Sequence, residues 1–295
     1  MKKLLLVCLF IITSTALAKS VTLESTNSDR KDLKVYLPKD FKKKDKWPLI
    51  ISMHGYGGSS FIQNYYIRLK RYKSKFGYVF ASPNGLNNEE GKSYWNASEF
   101  CCDFDKSGVD DIAYIKGIIE EIKSSKEIGR IDPKRVYLIG YSNGAFLASK
   151  IACSDQVDIA GIVTISGTSD LRDTDGELLD VKDLNCKHDR PIPTLHVHGT
   201  EDSTILYDGQ DNGKTAHVGA LDQVARWGVQ NRCLGDLIKK ETPINSSNFI
   251  RSKETDHFVM KDCAAPVEHF RVNGGAHFGI YKKKMTREIL KFLIK

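Results

Sequence analysis

The chain has 295 residues, of which 41% are hydrophobic, and its 44 lysines and arginines against 37 aspartates and glutamates give a net charge of +7. This length allows one sizeable hydrophobic core, and α/β folds often reach it as a single domain. The basic excess is small and no basic stripe is interleaved with aromatic residues, so the composition argues against a nucleic-acid partner.

The first 18 residues have the three parts of a secretory signal peptide. Two lysines precede an apolar run at 4–12, and the segment ends in Ala-Leu-Ala, a small-x-small cleavage site. Residues 1–18 are therefore predicted to be a signal peptide, residues 19–295 one folded domain, and the protein secreted or periplasmic. A retained membrane anchor is the alternative. No later apolar run approaches the ~20 residues that a bilayer span needs, so we expect no membrane partner.

Predicted strands and helices alternate along the rest of the chain, as in an α/β layer structure. Isoleucines recur at helical spacing after Asp110 and Asp111, and one of these aspartates is a better candidate for a helix N-cap than for a catalytic acid. A long insertion at 83–108 is expected to form one wall of a cleft. The predicted strands lie at 34–37, 49–53, 78–82, 136–139, 159–165, 193–199 and 267–272, and the predicted helices at 60–76, 112–122, 145–152, 218–230 and 286–294.

A Gly-rich loop at 54–59 follows the buried strand predicted at 49–53. In an ester hydrolase, such a loop supplies one backbone N–H to the developing oxyanion, and the residue after the nucleophile supplies the other. The amides of Tyr56 and Asn143 are therefore predicted to form an oxyanion hole, with no requirement on their side chains. The alternative is that the glycines only make a flexible turn.

The most informative motif is Gly140-Tyr141-Ser142-Asn143-Gly144. It lies between a predicted strand and a predicted helix, and Gly-x-Ser-x-Gly in that setting is a nucleophile elbow. The sharp turn lifts the serine hydroxyl clear of the sheet, and the two glycines let strand and helix pass closely. Ser142 is the predicted nucleophile; a tight strand-to-helix turn without chemistry is the alternative.

An acid and a histidine follow the elbow in the order of an α/β-hydrolase, Ser then Asp then His. Asp202 comes just after the strand predicted at 193–199, and His277 comes just after the strand predicted at 267–272. Open α/β sheets place their sites at the carboxyl ends of parallel strands, so Ser142, Asp202 and His277 are predicted to form a catalytic triad. The rival acids are Glu201, Asp208 and Asp211.

The remaining histidines have weaker claims to a catalytic role. His196 and His198 share one face of a predicted strand and could form a metal pair. No third ligand stands out and buried structural histidines are commoner, so no metal site is predicted. His54, at the end of a predicted strand, is expected to support the loop beside it and not to act as the base.

Six cysteines lie beyond the predicted signal peptide, an even number that predicts disulfides in an exported chain. Six cysteines allow 15 pairings, and no Cys-x-x-Cys spacing supports a zinc site. A bond between the neighbours Cys101 and Cys102 is sterically awkward. We therefore favour pairing of Cys233 with Cys263, and of Cys101 and Cys102 with Cys153 and Cys186 in an undetermined order.

Taken together, these motifs make the chain similar to the secreted poly(3-hydroxybutyrate) depolymerase and feruloyl esterase family of α/β-hydrolases. The resemblance implies an α/β-hydrolase fold, a single domain with a mostly parallel central sheet flanked by helices. It also implies an ester substrate and a triad of Ser142, Asp202 and His277. The matching stretches are 54–58, Trp95-Asn96 with Cys101-Cys102, 109–112, 140–145, 190–202, 207–209, Arg226-Trp227 with Cys233, and 274–277.

The chain departs from this family directly after the predicted catalytic histidine. Family members commonly continue with Trp-Pro-Gly, whereas here His277 is followed by Phe278-Gly279-Ile280. This loop helps to line the substrate cleft. Phe offers less stacking area than Trp and lacks the indole donor, so we expect short acyl or hydroxyacyl esters to be preferred over feruloyl esters.

The sequence thus predicts a secreted serine carboxylic ester hydrolase that works through an acyl-enzyme and needs no cofactor. Its expected partner is a small or soluble ester, because no appended polymer-binding module is recognisable; its oligomeric state is left open. A serine peptidase on the same fold is the enzymatic alternative. A binding protein on a hydrolase scaffold is disfavoured, because each predicted triad position still has a residue type that can carry out the catalysis.

Overall fold

The computed structural model describes residues 20–25, 29–98, 101–170, 172, 177–179, 184, 186–213 and 215–294. The predicted signal peptide at 1–18 lies outside the described residues. Within them, no helix is both long enough and apolar enough to span a bilayer.

A large mixed sheet dominates the described part of the chain. Its ten strands lie in the order β1-β2-β4-β3-β7-β8-β9-β14-β13-β12, with two further strand pairs, β5 with β6 and β10 with β11, beside it. The strands are β1 (Ser20–Leu23), β2 (Leu33–Tyr36), β3 (Trp47–Met53), β4 (Val79–Ala81), β5 (Leu86–Asn87), β6 (Ser93–Tyr94), β7 (Ile131–Tyr141), β8 (Gly161–Ile165), β9 (Thr194–Gly199), β10 (Gln210–Asp211), β11 (Ala216–His217), β12 (Leu237–Lys239), β13 (Thr255–Met260) and β14 (Val267–Val272).

The middle of the sheet is parallel and its two edges are antiparallel. Strands β4, β3, β7, β8, β9 and β14 run parallel to one another. The edge pairs β1 with β2, β2 with β4, β12 with β13, and β13 with β14 are antiparallel. The fold is that of an α/β-hydrolase, a mostly parallel central sheet flanked by helices, as the sequence predicts.

Helices cover both faces of the sheet because the central strands are apolar on both sides. In β3, Leu49, Ile51 and Met53 point to one face and Ile50 to the other, the alternation expected of a strand. Helices α3, α4 and α5 pack on the first face, and α1, α2 and α6 on the second. The helices are α1 (Ser60–Ile67), α2 (Leu69–Phe76), α3 (Asp111–Ser124), α4 (Asn143–Cys153), α5 (Ala220–Gln230) and α6 (Lys283–Leu293), and one 3-10 turn spans Phe41–Lys43.

The prediction of a single helix at 60–76 is wrong, because this segment forms two helices that are separated at Arg68. Arg68 adopts the left-handed conformation with φ of 58° and caps both α1 and α2. The carbonyl of Ile67 accepts a hydrogen bond from the hydroxyl of Thr286 on α6, at 2.6 Å. A hydroxyl from a distant part of the chain thus donates a hydrogen bond to a backbone carbonyl at the break. Neither glycine nor proline in the sequence indicates that the helix is divided here.

The two neighbouring aspartates at the start of α3 have different roles. Asp110 is the N-cap, and its carboxylate accepts a hydrogen bond from the backbone N–H of Ala113. Asp111 is buried and forms an ion pair with Arg30 at 2.6 Å. Its other carboxylate oxygen accepts from the backbone N–H of Asn96 at 2.7 Å, which connects the insertion at 83–108 to the start of α3.

One of the three predicted disulfides is found and the other two are wrong. Cys233 and Cys263 are bonded as predicted, but Cys101 is bonded to its neighbour Cys102, and Cys153 to Cys186. The sulfur of Cys101 lies 3.9 Å from the side-chain amide of Asn143, at the start of α4, whereas Cys153 ends that helix. Eleven helical residues span roughly 16 Å, far beyond the Cα–Cα separation of about 4–7 Å that a disulfide allows.

Candidate active site

The predicted site residues lie together at one edge of the sheet. The Gly-rich loop follows β3, Ser142 follows β7, Asp202 follows β9, and His277 follows β14. These strands are parallel and lie in the order β3-β7-β8-β9-β14, so their carboxyl ends meet at the same edge.

The turn at Ser142 is a sharp connection between β7 and α4. Ser142 has φ of 51° and ψ of −122°, a left-handed conformation that non-glycine residues rarely adopt. Its backbone N–H donates to the carbonyl of Ile165 on β8 at 2.8 Å. A Cβ atom at Gly144 would lie only 2.5 Å from the carbonyl oxygen of Met53, and one at Gly140 only 2.0 Å from that of Gly144. Both glycines of the motif are therefore required by close backbone approach.

Three side chains form a continuous hydrogen-bonded chain at this turn. The Nε2 atom of His277 lies 3.0 Å from Oγ of Ser142, and its Nδ1 atom lies 2.8 Å from Oδ2 of Asp202. All three residues are buried. The geometry can move a proton from the serine hydroxyl to an imidazole whose other nitrogen is held by a carboxylate.

The Asp202 carboxylate is held in its charged form. Its Oδ1 atom accepts hydrogen bonds from the backbone N–H groups of Thr204 at 2.9 Å and Ile205 at 2.8 Å. Burial alone would raise the pKa of Asp202, but hydrogen bonds from His198 and His277 outweigh it and hold that pKa below its usual range. The rival Glu201 is exposed, and Asp202 is the carboxylate that reaches His277.

The backbone beside His277 is held by an aromatic residue of the elbow motif. The hydroxyl of Tyr141 donates to the carbonyl of His277 at 2.5 Å, and the two rings lie 5.5 Å apart. Phe278 packs edge-on against His277 with 5.0 Å between ring centroids, and its side chain is otherwise exposed. The sequence motif contains Tyr141, but nothing in it indicated this contact.

Two backbone N–H groups next to Ser142 lack an acceptor within the described part of the chain, those of Tyr56 and Asn143. In the Gly-rich loop, Gly57 donates instead to Ser93 and Gly58 donates to Gly55. The two amides that the sequence predicts to form an oxyanion hole are therefore without a hydrogen-bond acceptor among the described residues.

The Asn143 side chain has a positioning contact that the sequence analysis missed. Its Oδ1 atom accepts from the backbone N–H of Trp95 at 2.7 Å, and its Nδ2 atom donates to the carbonyl of Trp95 at 2.9 Å. The indole of Trp95 donates to the carbonyl of His54 at 2.9 Å. One tryptophan therefore links the start of α4 to the Gly-rich loop.

His54 supports the Gly-rich loop, as predicted, through both ring nitrogens. Nδ1 donates to the carbonyl of Gly55 at 2.8 Å, and Nε2 accepts from the backbone N–H of Gly85 at 3.0 Å. Burial lowers the pKa of His54 to about 4, although the bond to Gly55 opposes the shift. The ring is therefore neutral at neutral pH, as its one acceptor nitrogen requires.

A chain of buried histidines runs behind Asp202. The hydroxyl of Thr164 donates to Nδ1 of His196 at 2.8 Å, and Nε2 of His196 donates to Nδ1 of His198 at 3.1 Å. Nε2 of His198 donates to the carbonyl of Ile205 at 2.8 Å and lies 3.3 Å from Oδ2 of Asp202. Hydrogen bonds thus occupy the ring nitrogens that could have formed a metal pair. Within the described residues, no cluster of three or more metal-ligating side chains is found.

A cleft of about 290 Å³ opens beside Ser142. One wall comes from the insertion at 83–108 and carries the Cys101–Cys102 disulfide and Phe104; the opposite wall comes from the segments that follow Asp202. The described residues that line it are Tyr56, Ser98, Cys101, Cys102, Phe104, Ser142, Phe146, Thr204, Ile205, Thr215, Ala216 and His217.

The buried neutral histidines predict that stability falls in mild acid. Burial lowers the pKa of His54 to about 4 and that of His269 to about 3, against 6.5 for an ordinary histidine. Below pH 6.5 the unfolded chain binds protons at these rings that the folded protein does not. The free energy of unfolding is therefore expected to be constant above pH 6.5 and to fall towards pH 4 by about 1.4 kcal/mol per pH unit for each ring.

Urea unfolding at pH 7.5, 5.5 and 4.5 measures this loss. The variant His269→Phe removes one titrating ring, so its stability should be lower overall but should fall less steeply between pH 6.5 and 4. Equal stability of the wild type at pH 7.5 and 4.5 would contradict the prediction, because it would show that these rings take up protons as readily in the folded protein as in the unfolded chain.

Comparison with known proteins shows to which family the chain belongs. A family model described as phospholipase/carboxylesterase matches residues 40–225. The chain is 26% identical over 250 residues to a feruloyl esterase B of Piromyces equi, covering 82% of this chain and 42% of the relative. It is 27% identical over 177 residues to a bifunctional acetylxylan esterase/xylanase of Neocallimastix patriciarum, covering 60% of this chain and 22% of the relative. The chain thus spans less than half the length of these relatives.

A solved structure shares the fold across nearly the whole chain. The acetyl xylan esterase from Aspergillus awamori superposes with a TM-score of 0.59, covering 94% of this chain and 99% of its own. The sequence identity is 14%, so this likeness concerns the fold alone.

Proposed function

The chain belongs to the phospholipase/carboxylesterase family of α/β-hydrolases, and on that premise we propose that it is a serine carboxylic ester hydrolase. One observation carries the proposal: Ser142, His277 and Asp202 are joined by hydrogen bonds of 3.0 Å and 2.8 Å beside an open cleft. Curated relatives named as feruloyl and acetylxylan esterases support an ester as the substrate.

Catalysis in this proposal proceeds through an acyl-enzyme. His277 takes the hydroxyl proton of Ser142 through Nε2 as Oγ attacks the ester carbonyl carbon. Asp202 keeps the remaining ring proton on Nδ1 and stabilises the imidazolium that forms. His277 then gives its proton to the leaving alkoxide, and the alcohol departs. A water molecule then attacks the carbonyl carbon of the acyl-enzyme, with His277 as the base that takes its proton. His277 returns this proton to Oγ of Ser142 as the acid is released.

The backbone amides of Tyr56 and Asn143 stabilise the negative charge that develops on the carbonyl oxygen. Their N–H groups have no acceptor among the described residues and so remain able to donate to the substrate. One such donor typically contributes about 3–4 kcal/mol to transition-state stabilisation. Trp95 is hydrogen-bonded both to the side chain of Asn143 and to the carbonyl of His54. These bonds hold the helix start and the Gly-rich loop, and so the two donors, in fixed positions relative to each other.

The proposed substrates are short-acyl, hydroxyacyl or feruloyl-type esters. The cleft is largely apolar, and the Cys101–Cys102 disulfide and Phe104 offer it a hydrophobic wall. Phe278 stands beside His277 with most of its side chain exposed, and it lines the neighbouring pocket that the Gly-rich loop also lines, not this cleft itself. A single phenyl ring gives an aromatic acid or a sugar less stacking area than an indole, so short-acyl and hydroxyacyl esters should be cleaved more efficiently than feruloyl esters.

A substrate panel tests the reaction class. We expect kcat/KM to be highest for p-nitrophenyl acetate, p-nitrophenyl butyrate or a 3-hydroxybutyrate oligomer, lower for methyl ferulate, and negligible for a peptide anilide. Preference for the anilide would make the chain a serine peptidase. Absence of turnover on the whole panel, with no labelling of Ser142 by a serine-directed phosphonate, would make it a binding protein on a hydrolase scaffold.

We propose further that the protein works outside the cytosol, secreted or in a periplasm, with residues 1–18 as its signal peptide. Three disulfides join Cys101 to Cys102, Cys153 to Cys186 and Cys233 to Cys263. Disulfides persist in oxidising compartments and are rare in a reducing cytosol. Thiol titration of exported, denatured protein should find no free thiol.

A further inference from the structure

A second histidine, besides His277, lies against the carboxylate of Asp202. Nε2 of His198 is 3.3 Å from Oδ2 of Asp202, the same oxygen that Nδ1 of His277 approaches to 2.8 Å. The side chains of His198 and Asp202 are both fully buried. Solvent therefore does not reach this contact, and protein groups alone determine how the carboxylate is held.

His198 also holds the turn that follows Asp202. Its Nε2 atom lies 2.8 Å from the carbonyl oxygen of Ile205, and a carbonyl only accepts, so Nε2 carries the proton. The backbone N–H of the same Ile205 donates to Oδ1 of Asp202 at 2.8 Å, as does that of Thr204 at 2.9 Å. Residues 203–208 form a turn and not a helix or strand, so a side chain takes up the carbonyl of Ile205, a group that needs a partner when buried.

The proton on Nε2 of His198 is kept in place by the residues behind the ring. A neutral ring with its proton on Nε2 has an acceptor at Nδ1, and Nε2 of His196 donates to it at 3.1 Å. Nδ1 of His196 in turn accepts from the hydroxyl of Thr164 at 2.8 Å. Burial lowers the pKa of His196, so that ring is neutral. The donors therefore point one way, from Thr164 through the two rings towards Asp202.

In the proposed mechanism, Asp202 has to keep Oδ2 in line with Nδ1 of His277 while the imidazolium forms. We propose that His198 is a positioning residue for Asp202: its N–H holds the turn that binds Oδ1 and lies beside Oδ2, so that the carboxylate keeps its orientation towards His277. His198 is not among the described residues that line the cleft, and it acts only through Asp202. This inference rests on the proposed esterase function and adds a residue to its machinery.

Removal of the His198 N–H is the first test. His198→Leu deletes this donor at similar volume and is expected to lower kcat for p-nitrophenyl acetate by about 10- to 100-fold, the range for one hydrogen bond to a charged group. Circular dichroism and urea unfolding show whether the variant is folded.

Two polar variants identify which ring nitrogen matters. His198→Gln places an amide N–H near the position of Nε2 and should regain most of the lost kcat. His198→Asn places its amide near the position of Nδ1, where it can still accept from His196 but does not reach Ile205, and should lose about as much as His198→Leu. Because each amide keeps one hydrogen-bonding position of the ring, this comparison holds even if His198→Leu fails to fold.

A double-mutant cycle with Asp202→Asn separates positioning from a general structural loss. If His198 acts through the carboxylate, His198→Leu or His198→Asn should change kcat by no more than about threefold once Asp202 is asparagine. A merely structural defect would lower kcat by the same factor in both backgrounds. The rates are measured above that of Ser142→Ala.

Thr164→Val provides the control within the same cluster. It deletes the hydroxyl at the far end of the chain and keeps the contacts of His198 with Ile205 and Asp202, so kcat should stay within about threefold of the wild type. Four results would overturn the role of His198 and leave the esterase function intact: wild-type kcat in His198→Leu, equal kcat in the Gln and Asn variants, equal losses in the two backgrounds, or an equal loss in Thr164→Val. Full activity in Ser142→Ala would instead overturn the proposed function itself.

Discussion

Replacement of Ser142 by alanine is expected to reduce hydrolysis of p-nitrophenyl acetate by about 10⁵- to 10⁶-fold, as for the nucleophile of other serine hydrolases. The substitution removes the only atom that attacks the ester carbonyl in the proposed mechanism. It should leave the fold intact, because the turn is held by backbone contacts, including the bond from the Ser142 N–H to Ile165. Initial rates and circular dichroism of the two proteins measure the effect.

A serine in the helix that follows Ser142 provides the matched control. Ser149 is buried on α4 about two turns beyond Ser142, and its hydroxyl accepts from Gln223 at 3.3 Å. Ser149→Ala should retain activity to within about threefold, because it removes no group of the proposed mechanism. A serine-directed phosphonate should label the wild type and Ser149→Ala at Ser142 and leave Ser142→Ala unlabelled. Labelling at another serine would contradict the assignment.

Replacement of Asp202 by asparagine is expected to lower turnover by about 10⁴-fold, by analogy with the aspartate of the protease triad. The carboxylate accepts the Nδ1 proton of His277, at 2.8 Å. An amide can instead donate to Nδ1, which forces the proton onto Nε2, the nitrogen that must accept the proton of Ser142. Turnover of p-nitrophenyl acetate at saturating substrate measures the loss.

The neighbouring carboxylate gives an internal comparison for this prediction. Glu201 is exposed, whereas Asp202 is 3% exposed and bonded to His277. Glu201→Gln makes the same chemical change one residue earlier and should alter turnover by no more than about twofold. If Glu201→Gln were the more damaging change, the acid of the triad would have been assigned to the wrong residue.

The positions of the main strands and helices were largely predictable because their patterns are local. Strands at 49–53, 193–199 and 267–272 correspond to β3, β9 and β14, and the helical isoleucine spacing corresponds to α3. Apolar residues that alternate or repeat at helical spacing reflect the face that each element buries. Boundaries shifted by a few residues, as hydrogen bonding at element ends depends on neighbours that the pattern does not contain.

Features that depend on distant contacts were not predictable in the same way. The short strand β1, the edge strands β12 and β13, and the small pairs β5–β6 and β10–β11 have no strong pattern and exist through pairing. The break at Arg68 accompanies a hydrogen bond from Thr286 on α6. The expected bonds from Cys101 and Cys102 to Cys153 and Cys186 failed because the length of α4 separates them.

The sequence by itself determined which residues could carry the chemistry. The elbow around Ser142, the acid after one strand and the histidine after another are each local signals, and the chain order of the three matches one known architecture. A strand-to-helix turn with two glycines has the same conformational requirement wherever it occurs. Ser142, Asp202 and His277 could therefore be identified as candidates without the structure.

Only the tertiary structure decided how these candidates are surrounded. It brings Trp95 to Asn143, and Thr164 to the histidines behind Asp202. Each of these depends on the packing of segments far apart in the chain, and a residue's hydrogen-bond partner, burial and pKa are properties of that packing and not of the residue type.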